Sequence, residues 1–159
     1  MDLLLDLLNS RPLINGEERD ALADSAAGRG WALERGGDGT VAELALLRQA
    51  RDLLRDVVRG DRPATALAPM LEGVRQVPAF DADGLKWTVD TPPHARLAVD
   101  AVLAWATVAK ELPGRLRSCA NDECELFLLD RSRANRARWC SMAACGNREK
   151  ARRHYQRTH

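Results

Sequence analysis

The chain has 159 residues, which is enough for one well-packed domain with a small appendage but not for two full-sized domains. Hydrophobic residues make up 45% and charged residues 30% of the sequence, a globular balance that excludes a disordered or fibrous protein. The formal net charge is only +1. No apolar stretch approaches the roughly 20 residues that span a bilayer, and the start, MDLLLDLLNS, carries two aspartates and no basic flank, unlike a signal peptide. We therefore expect a soluble, cytoplasmic protein.

The first elements of the chain are predicted to be helical. A short apolar segment covers residues 3–8, and a loop follows at residues 11–16. A helical stretch is predicted around residues 19–34, and the glycine-rich residues 36–39 end it.

The strongest helix signal begins at Thr40, where Glu43 three residues later forms a capping-box pattern that satisfies free backbone N–H groups. Leu44, Leu47 and Leu54 then recur near helical spacing. Gly60 supplies the stop.

A shorter helix is predicted at residues 66–75, with Pro69 tolerated only in its first turn. Residues 77–80 and 85–89 flank an Asp-Gly turn, which predicts a β-hairpin. Trp87, within the second strand, is predicted to be a core residue.

A second long helix opens after Pro92-Pro93, with Leu97, Ala101 and Trp105 predicted on its inner face. The Pro113-Gly114 pair ends it and marks a predicted domain junction. The expected fold is mainly α with a small β-hairpin: a helical domain at residues 1–113 and a zinc module at residues 114–159.

All four cysteines lie in the C-terminal segment, spaced Cys119-x4-Cys124-x15-Cys140-x4-Cys145. Two close pairs separated by a longer excursion favour one tetrahedral metal site, with zinc as the preferred ion. Disulfides and free buried thiols are the alternatives, and a reducing compartment argues against disulfides. Four thiolates would close the coordination sphere, so we expect one structural Zn²⁺ rather than a catalytic one.

The charge is segregated along the chain. Residues 115–159 hold 11 Lys/Arg and 5 Asp/Glu, whereas residues 1–114 hold 13 and 18, so the two parts carry +6 and −5. The basic residues fall in a loop before Cys140 and in a predicted helix after Cys145. The candidates for contact with nucleic-acid phosphates are Arg131, Arg133, Arg136, Arg138, Arg148, Lys150, Arg152, Arg153 and Arg157. The alternative is that these side chains are solvated or pair with the chain's own acidic residues.

The Cys145-Gly146-Asn147-Arg148 run, with the three upstream cysteines, resembles the CGNR-type zinc finger. Two further matches to that family are Asp130-Arg131-Ser132 and Arg138-Trp139-Cys140. The preceding part resembles the ABATE domain that usually accompanies this finger, through Leu7-Leu8-Asn9-Ser10, Asp20-Ala21-Leu22 and Trp31.

The resemblance implies a treble-clef-like zinc module and a bacterial stress-associated transcription regulator. In such a protein the finger binds DNA and the helical domain senses a signal or mediates contacts, which include homodimerisation. By the same matching, Asn147 and Arg148 either support the zinc knuckle or contact DNA.

Asn9, Arg11 and Asp20 are a candidate polar pocket for a small-molecule signal, with Arg11 as an anion clamp. The alternative is that Asn9 and Asp20 cap helices. No catalytic constellation emerges, so we expect no enzyme. The sequence thus predicts a DNA-binding regulator, and the competing hypothesis is a zinc-stabilised protein-interaction module without nucleic-acid binding.

Overall fold

The computed structural model describes residues 2–14, 16–23 and 25–158, about half of them helical. The helices are α1 Asp2–Leu8, α2 Ala26–Leu33, α3 Val41–Arg59, α4 Arg96–Glu111 and α5 Asn147–Thr158. The strands are β1 Leu13–Ile14, β2 Glu17–Glu18, β3 Arg75–Asp81, β4 Gly84–Asp90, β5 Leu116–Ser118 and β6 Phe127–Leu129. The strands form three antiparallel two-stranded sheets: β1 with β2, β3 with β4, and β5 with β6. The expectation of helices with a small β-hairpin is confirmed in this coarser form, with about half of the described residues helical and three hairpins in place of one.

The predicted α3 is confirmed, and its capping differs in one detail. The Thr40 hydroxyl accepts the Glu43 N–H at 3.2 Å, and Gly60 ends the helix with φ 86°. The Glu43 carboxylate does not reach back to Thr40. Its Oε2 accepts from the backbone N–H groups of Asp38 and Gly39, at 2.8 and 2.7 Å, and so holds the glycine-rich loop instead.

Two helix predictions are wrong in extent. The helix expected over residues 19–34 begins only at Ala26, because the Asp20 carboxylate binds the Leu22 N–H in a local turn and Ser25 caps the helix. The shorter helix expected over residues 66–75 is a 3₁₀ helix, Ala64–Leu71, and Pro69 lies inside it rather than in its first turn. The loop expected at residues 11–16 contains β1.

The core lies between α1, α3 and α4, with the 3₁₀ helix and β6 packed at its margins. Leu97 and Ala101 on α4 are buried as predicted, and Trp105 is partly buried against this core. Trp87 is 60% exposed, so its assignment to the core was wrong. None of the described helices is long and apolar enough to cross a membrane.

Candidate metal centre

The four cysteine sulfurs lie within 4.8 Å of one another. Cys140 is 3.7 Å from Cys124 and 3.6 Å from Cys145, sulfur to sulfur. A tetrahedral zinc ion with Zn–S bonds of about 2.3 Å requires sulfur pairs about 3.8 Å apart. The cluster therefore has the size and the donor set of a four-thiolate zinc site.

Each ligand is placed by a different local structure. Cys119 directly follows β5, and Cys124 closes a tight turn by donating its N–H to the Asn121 carbonyl at 2.8 Å. Cys145 lies in a π-helical turn, Met142–Gly146, that leads directly into α5. The metal thus joins the end of a strand to the start of a helix.

The surroundings of the sulfurs suit charged thiolates. The Cys140 backbone N–H points at the Cys119 sulfur, with the two atoms 3.4 Å apart. The buried amide Nδ2 of Asn121 has no hydrogen-bond partner among the described residues, and the Asn121 side chain interacts with the Cys145 thiol. Although burial acts to raise the pKa of Cys145, the Asn121 side chain and the neighbouring thiols lower it overall. A thiolate at Cys145 would give the Asn121 amide the acceptor that it lacks.

Burial raises the pKa of the Cys124 thiol to about 11, and burial with the neighbouring sulfurs raises that of Cys140. Zinc binds the thiolate form, so binding displaces protons from these groups. With four protein ligands the coordination sphere is closed, and the metal's role is to hold the fold.

A second structural centre, which the sequence interpretation did not assign, orders the arginine-rich loop. Asp130 is 2% exposed and accepts the backbone N–H groups of Ser132 and Ala137, at 2.8 and 2.7 Å. Arg117 donates to Asp130 at 2.8 Å and to the Ala137 carbonyl at 2.6 Å. Hydrogen bonds from Ser132, then Ala137 and the Arg117 charge, lower the pKa of Asp130 to about 2. The Asp-x-Ser spacing, typical of a side-chain turn, was the available signal.

The zinc module is attached to the helices by paired backbone contacts. The Asn9 side chain accepts the Phe127 N–H at 2.8 Å and donates to the Phe127 carbonyl at 3.1 Å. Phe127 is 1% exposed and belongs to the same buried cluster as the helices. Arg55, which is 3% exposed, donates to the carboxylate and the carbonyl of Glu125, at 2.9 and 3.2 Å. Arg59 also donates to the Glu125 carboxylate. The knuckle after Cys124 is therefore clamped to α1 and α3.

The three residues predicted to form a pocket all make contacts within the chain. Asn9 pairs with Phe127, and Arg11 lies 3.4 Å from carboxylate oxygens of both Glu18 and Asp52. Asp20 binds the guanidinium of Arg51, which is 1% exposed, through both oxygens at 2.6 and 2.9 Å. These contacts use the polar atoms that a ligand would need, and binding of a small molecule there stays a prediction.

The helix α5 projects from the zinc centre. From residue 147 to residue 157 every residue is exposed except Glu149, whose side chain is 12% exposed. Glu149 pairs with Arg152 at 2.7 Å and with Arg153 at 2.9 Å. Arg148 lies 3.6 Å from Glu123 and Arg152 lies 3.8 Å from Asp122, both on the first knuckle. Asn147 donates to the Ala143 carbonyl of the second knuckle at 3.3 Å.

The arginine-rich loop ends against the start of α5. The Arg138 guanidinium lies 5.1 Å from the centre of the Trp139 ring, and a Cβ on Gly146 would come within 3.2 Å of that ring. Arg131, Arg133, Arg136 and Arg138 are all exposed. Among the described residues, no ion pair is seen for Arg133, Arg136, Arg138, Lys150 or Arg157.

The strand, knuckles, four-sulfur cluster and following helix define a zinc finger with one structural zinc ion. Residues 115–158 match the CGNR zinc finger family, so the resemblance seen in the sequence is confirmed for this part of the chain. A search of the curated proteins found no match. The ABATE resemblance of residues 1–113 and the treble-clef comparison stay predictions.

Proposed function

We propose that the protein is a DNA-binding transcription regulator whose zinc finger supplies the DNA-contacting surface. The observation that carries this proposal is α5, which begins two residues after a zinc ligand and is exposed along almost its whole length. A helix of 12 residues is about 18 Å long, enough to lie along a DNA groove. Its many cations would neutralise phosphates and release counterions.

The loop arginines extend the same basic surface. A Cβ on Gly146 would lie 3.2 Å from the Trp139 ring, so the end of the loop is beside the start of α5. Arg133 and Arg136 on the loop, with Lys150 and Arg157 on α5, keep exposed charges without an ion pair among the described residues. We assign phosphate contact to these four cations, because binding a phosphate would not require them to leave an ion-pair partner in the described part of the chain.

Three further arginines of α5 have acidic partners within the chain, which they must leave to contact phosphates. Arg152 and Arg153 are held by Glu149, and Arg148 lies near Glu123 at the long distance of 3.6 Å. All three arginine side chains are at least 44% exposed, which keeps these pairs near the surface value of about 0–1 kcal/mol although Glu149 is only 12% exposed, so a phosphate can replace the acidic partner. Arg148, Arg152 and Arg153 would therefore exchange acidic partners for phosphates when DNA binds.

The alternative function is a zinc-stabilised protein-interaction module. The pairs Arg148–Glu123 and Arg152–Asp122 favour it, because they match part of the basic helix to the chain's own acidic knuckle. In this alternative a partner protein with acidic side chains would take the place of DNA.

The helical part of the chain would have a regulatory role. Residues 1–113 would serve in sensing a small-molecule signal or in dimerisation, in the bacterial cytoplasm. Catalysis is no part of the proposed role, since four thiolates leave the zinc no position for a substrate or water.

The test is a titration of labelled duplex DNA with the zinc-loaded chain at several salt concentrations, preceded by selection from a random duplex pool. We expect binding that weakens steeply with salt, and a slope of log K against log salt reduced by about 0.9 for each phosphate contact removed. The test variants are Arg136→Ala and Lys150→Ala. Matched controls are Arg29→Ala and Arg75→Ala, which remove exposed arginines far from the finger in sequence.

Two outcomes would refute the DNA proposal. One is the absence of duplex binding near physiological salt by a protein that carries one zinc ion per chain. The other is a salt slope that changes equally in the test and control variants. The first result would favour the protein-interaction module, for which binding of an acidic peptide to α5 is the corresponding assay. The second would show that the duplex contacts a surface other than the loop and α5.

A further inference from the structure

The hairpin of β3 and β4 has one wholly uncharged face. In the antiparallel register Phe80 lies opposite Leu85 and Pro78 opposite Trp87, so these four side chains point to the same side. Gln76 and Val89 complete that face. The charged residues Arg75, Asp81, Lys86 and Asp90 all alternate onto the other side.

This face is exposed. Phe80, Trp87 and Leu85 leave 82%, 60% and 55% of their surface in solvent. The two strands pack on each other, and no other described helix or strand packs extensively against either of them. An isolated two-stranded hairpin is only marginally stable in water, so an exposed apolar face of this kind favours a covering partner.

We propose that a second copy of this chain covers the face, in a symmetric dimer that packs hairpin against hairpin. Two identical uncharged faces meet without burying an unpaired charge, and the contact closes at two copies. At the tip beside the face Asp81 pairs with Lys86 at 2.6 Å, and the negative charge of Asp83 disfavours phosphate and anionic lipid. A protein surface is therefore the fitting occupant.

The surface area that two hairpin faces can bury is that of a weakly associating dimer. Aromatic side chains present roughly 150–250 Å² each, so Phe80 and Trp87 together expose about 300 Å² per copy. With Leu85, Pro78 and Val89 added, two copies would remove on the order of 1,000 Å² from water, the lower limit for a specific interface. We accordingly expect dissociation in the micromolar range.

The two edges of the hairpin are poorly suited to pairing with a further strand, so association through the uncharged face is favoured. Asp81 and Gly84 close a two-residue turn, and hydrogen-bonded pairs alternate along the ladder from there. Pro78 therefore falls at a pair whose backbone groups face outward, and its missing N–H prevents a further strand from adding to β3 in regular register. Lys86 on β4 is a side chain that commonly protects free edges. Extension into a longer sheet is disfavoured, whereas packing of the faces is not.

The experiment is sedimentation equilibrium of the full zinc-loaded chain from about 1 to 300 μM, where the monomer has a mass of 17.6 kDa. We expect the mass to double across this range, and Phe80→Ser or Trp87→Ser to weaken dimerisation by at least about tenfold. Val77→Ser is the control, because Val77 is apolar and 43% exposed but lies on the opposite face. Zinc content and far-UV circular dichroism would confirm that each variant is folded.

A chain that stays monomeric at 300 μM would overturn the proposal. A dimer that Phe80→Ser and Trp87→Ser leave intact, or that Val77→Ser weakens equally, would also overturn it, because the interface would then lie elsewhere.

Discussion

The contact between Asn9 and Phe127 can be tested by the substitution Asn9→Ala. Asn9 satisfies both the N–H and the carbonyl of Phe127, at 2.8 and 3.1 Å. Phe127 is 1% exposed, so water cannot easily replace the lost partners. Each buried polar group left without a partner costs about 1–3 kcal/mol. Two such groups are left by Asn9→Ala, so we expect the free energy of unfolding to fall by about 2–6 kcal/mol.

The measurement is urea-induced unfolding in excess zinc, with the free energy taken from the linear extrapolation. Gln156→Ala is a matched control, because it removes an exposed side-chain amide on α5. Its removal should cost at most about 0.5 kcal/mol. Equal losses in the two variants would refute the role we give to Asn9, as would a loss below about 0.5 kcal/mol in Asn9→Ala.

Two further predictions concern the metal site and the glycine loop. Because the pKa of Cys124 is raised to about 11, zinc must displace a proton there at neutral pH, so affinity should fall by at least about tenfold per unit of falling pH. Chelator competition from pH 8 to pH 6 would measure it, and constant affinity would contradict it. A Cβ at Gly37 would lie 2.4 Å from Glu43 Oε1 and 2.7 Å from Leu97 Cδ1, so Gly37→Ala should destabilise by about 1–3 kcal/mol in thermal unfolding. Gly30→Ala, with nothing within 4 Å, should not destabilise, and equal losses would rule out the steric explanation.

The metal site could be predicted almost completely, because it depends on the number of residues between four cysteines along the chain. The positions of the four cysteines and the absence of a free coordination position follow from the order of residues alone. The ends of α3 were equally predictable, since Thr40 and Gly60 act on backbone groups within one helical turn. Pro69 shows the limit of such local reasoning: the proline was noticed, but the 3₁₀ geometry that accommodates it was not.

Arginines were the residues that the sequence described least well. The sequence interpretation considered arginines mainly as surface cations and took its candidates for phosphate contact from residues after Leu129. It did not predict that Arg51 and Arg55 of α3 are buried, at 1% and 3% exposure. Their partners, Asp20 and Glu125, lie 31 and 70 residues away in the chain. Nothing in the residues around a buried arginine specifies a partner at such a distance.

The sequence by itself determined the zinc ligands, the two long helices and the separation of charge between the two parts of the chain. Each of these depends on residue type and on spacings of a few residues, for which backbone geometry is known in advance. Only the tertiary structure decided that Asn9 joins α1 to β6, that Asp130 and Arg117 order the basic loop, and that Trp87 lies on an exposed face. These outcomes depend on which surfaces meet, and that is settled by the packing of the whole chain rather than by any local pattern.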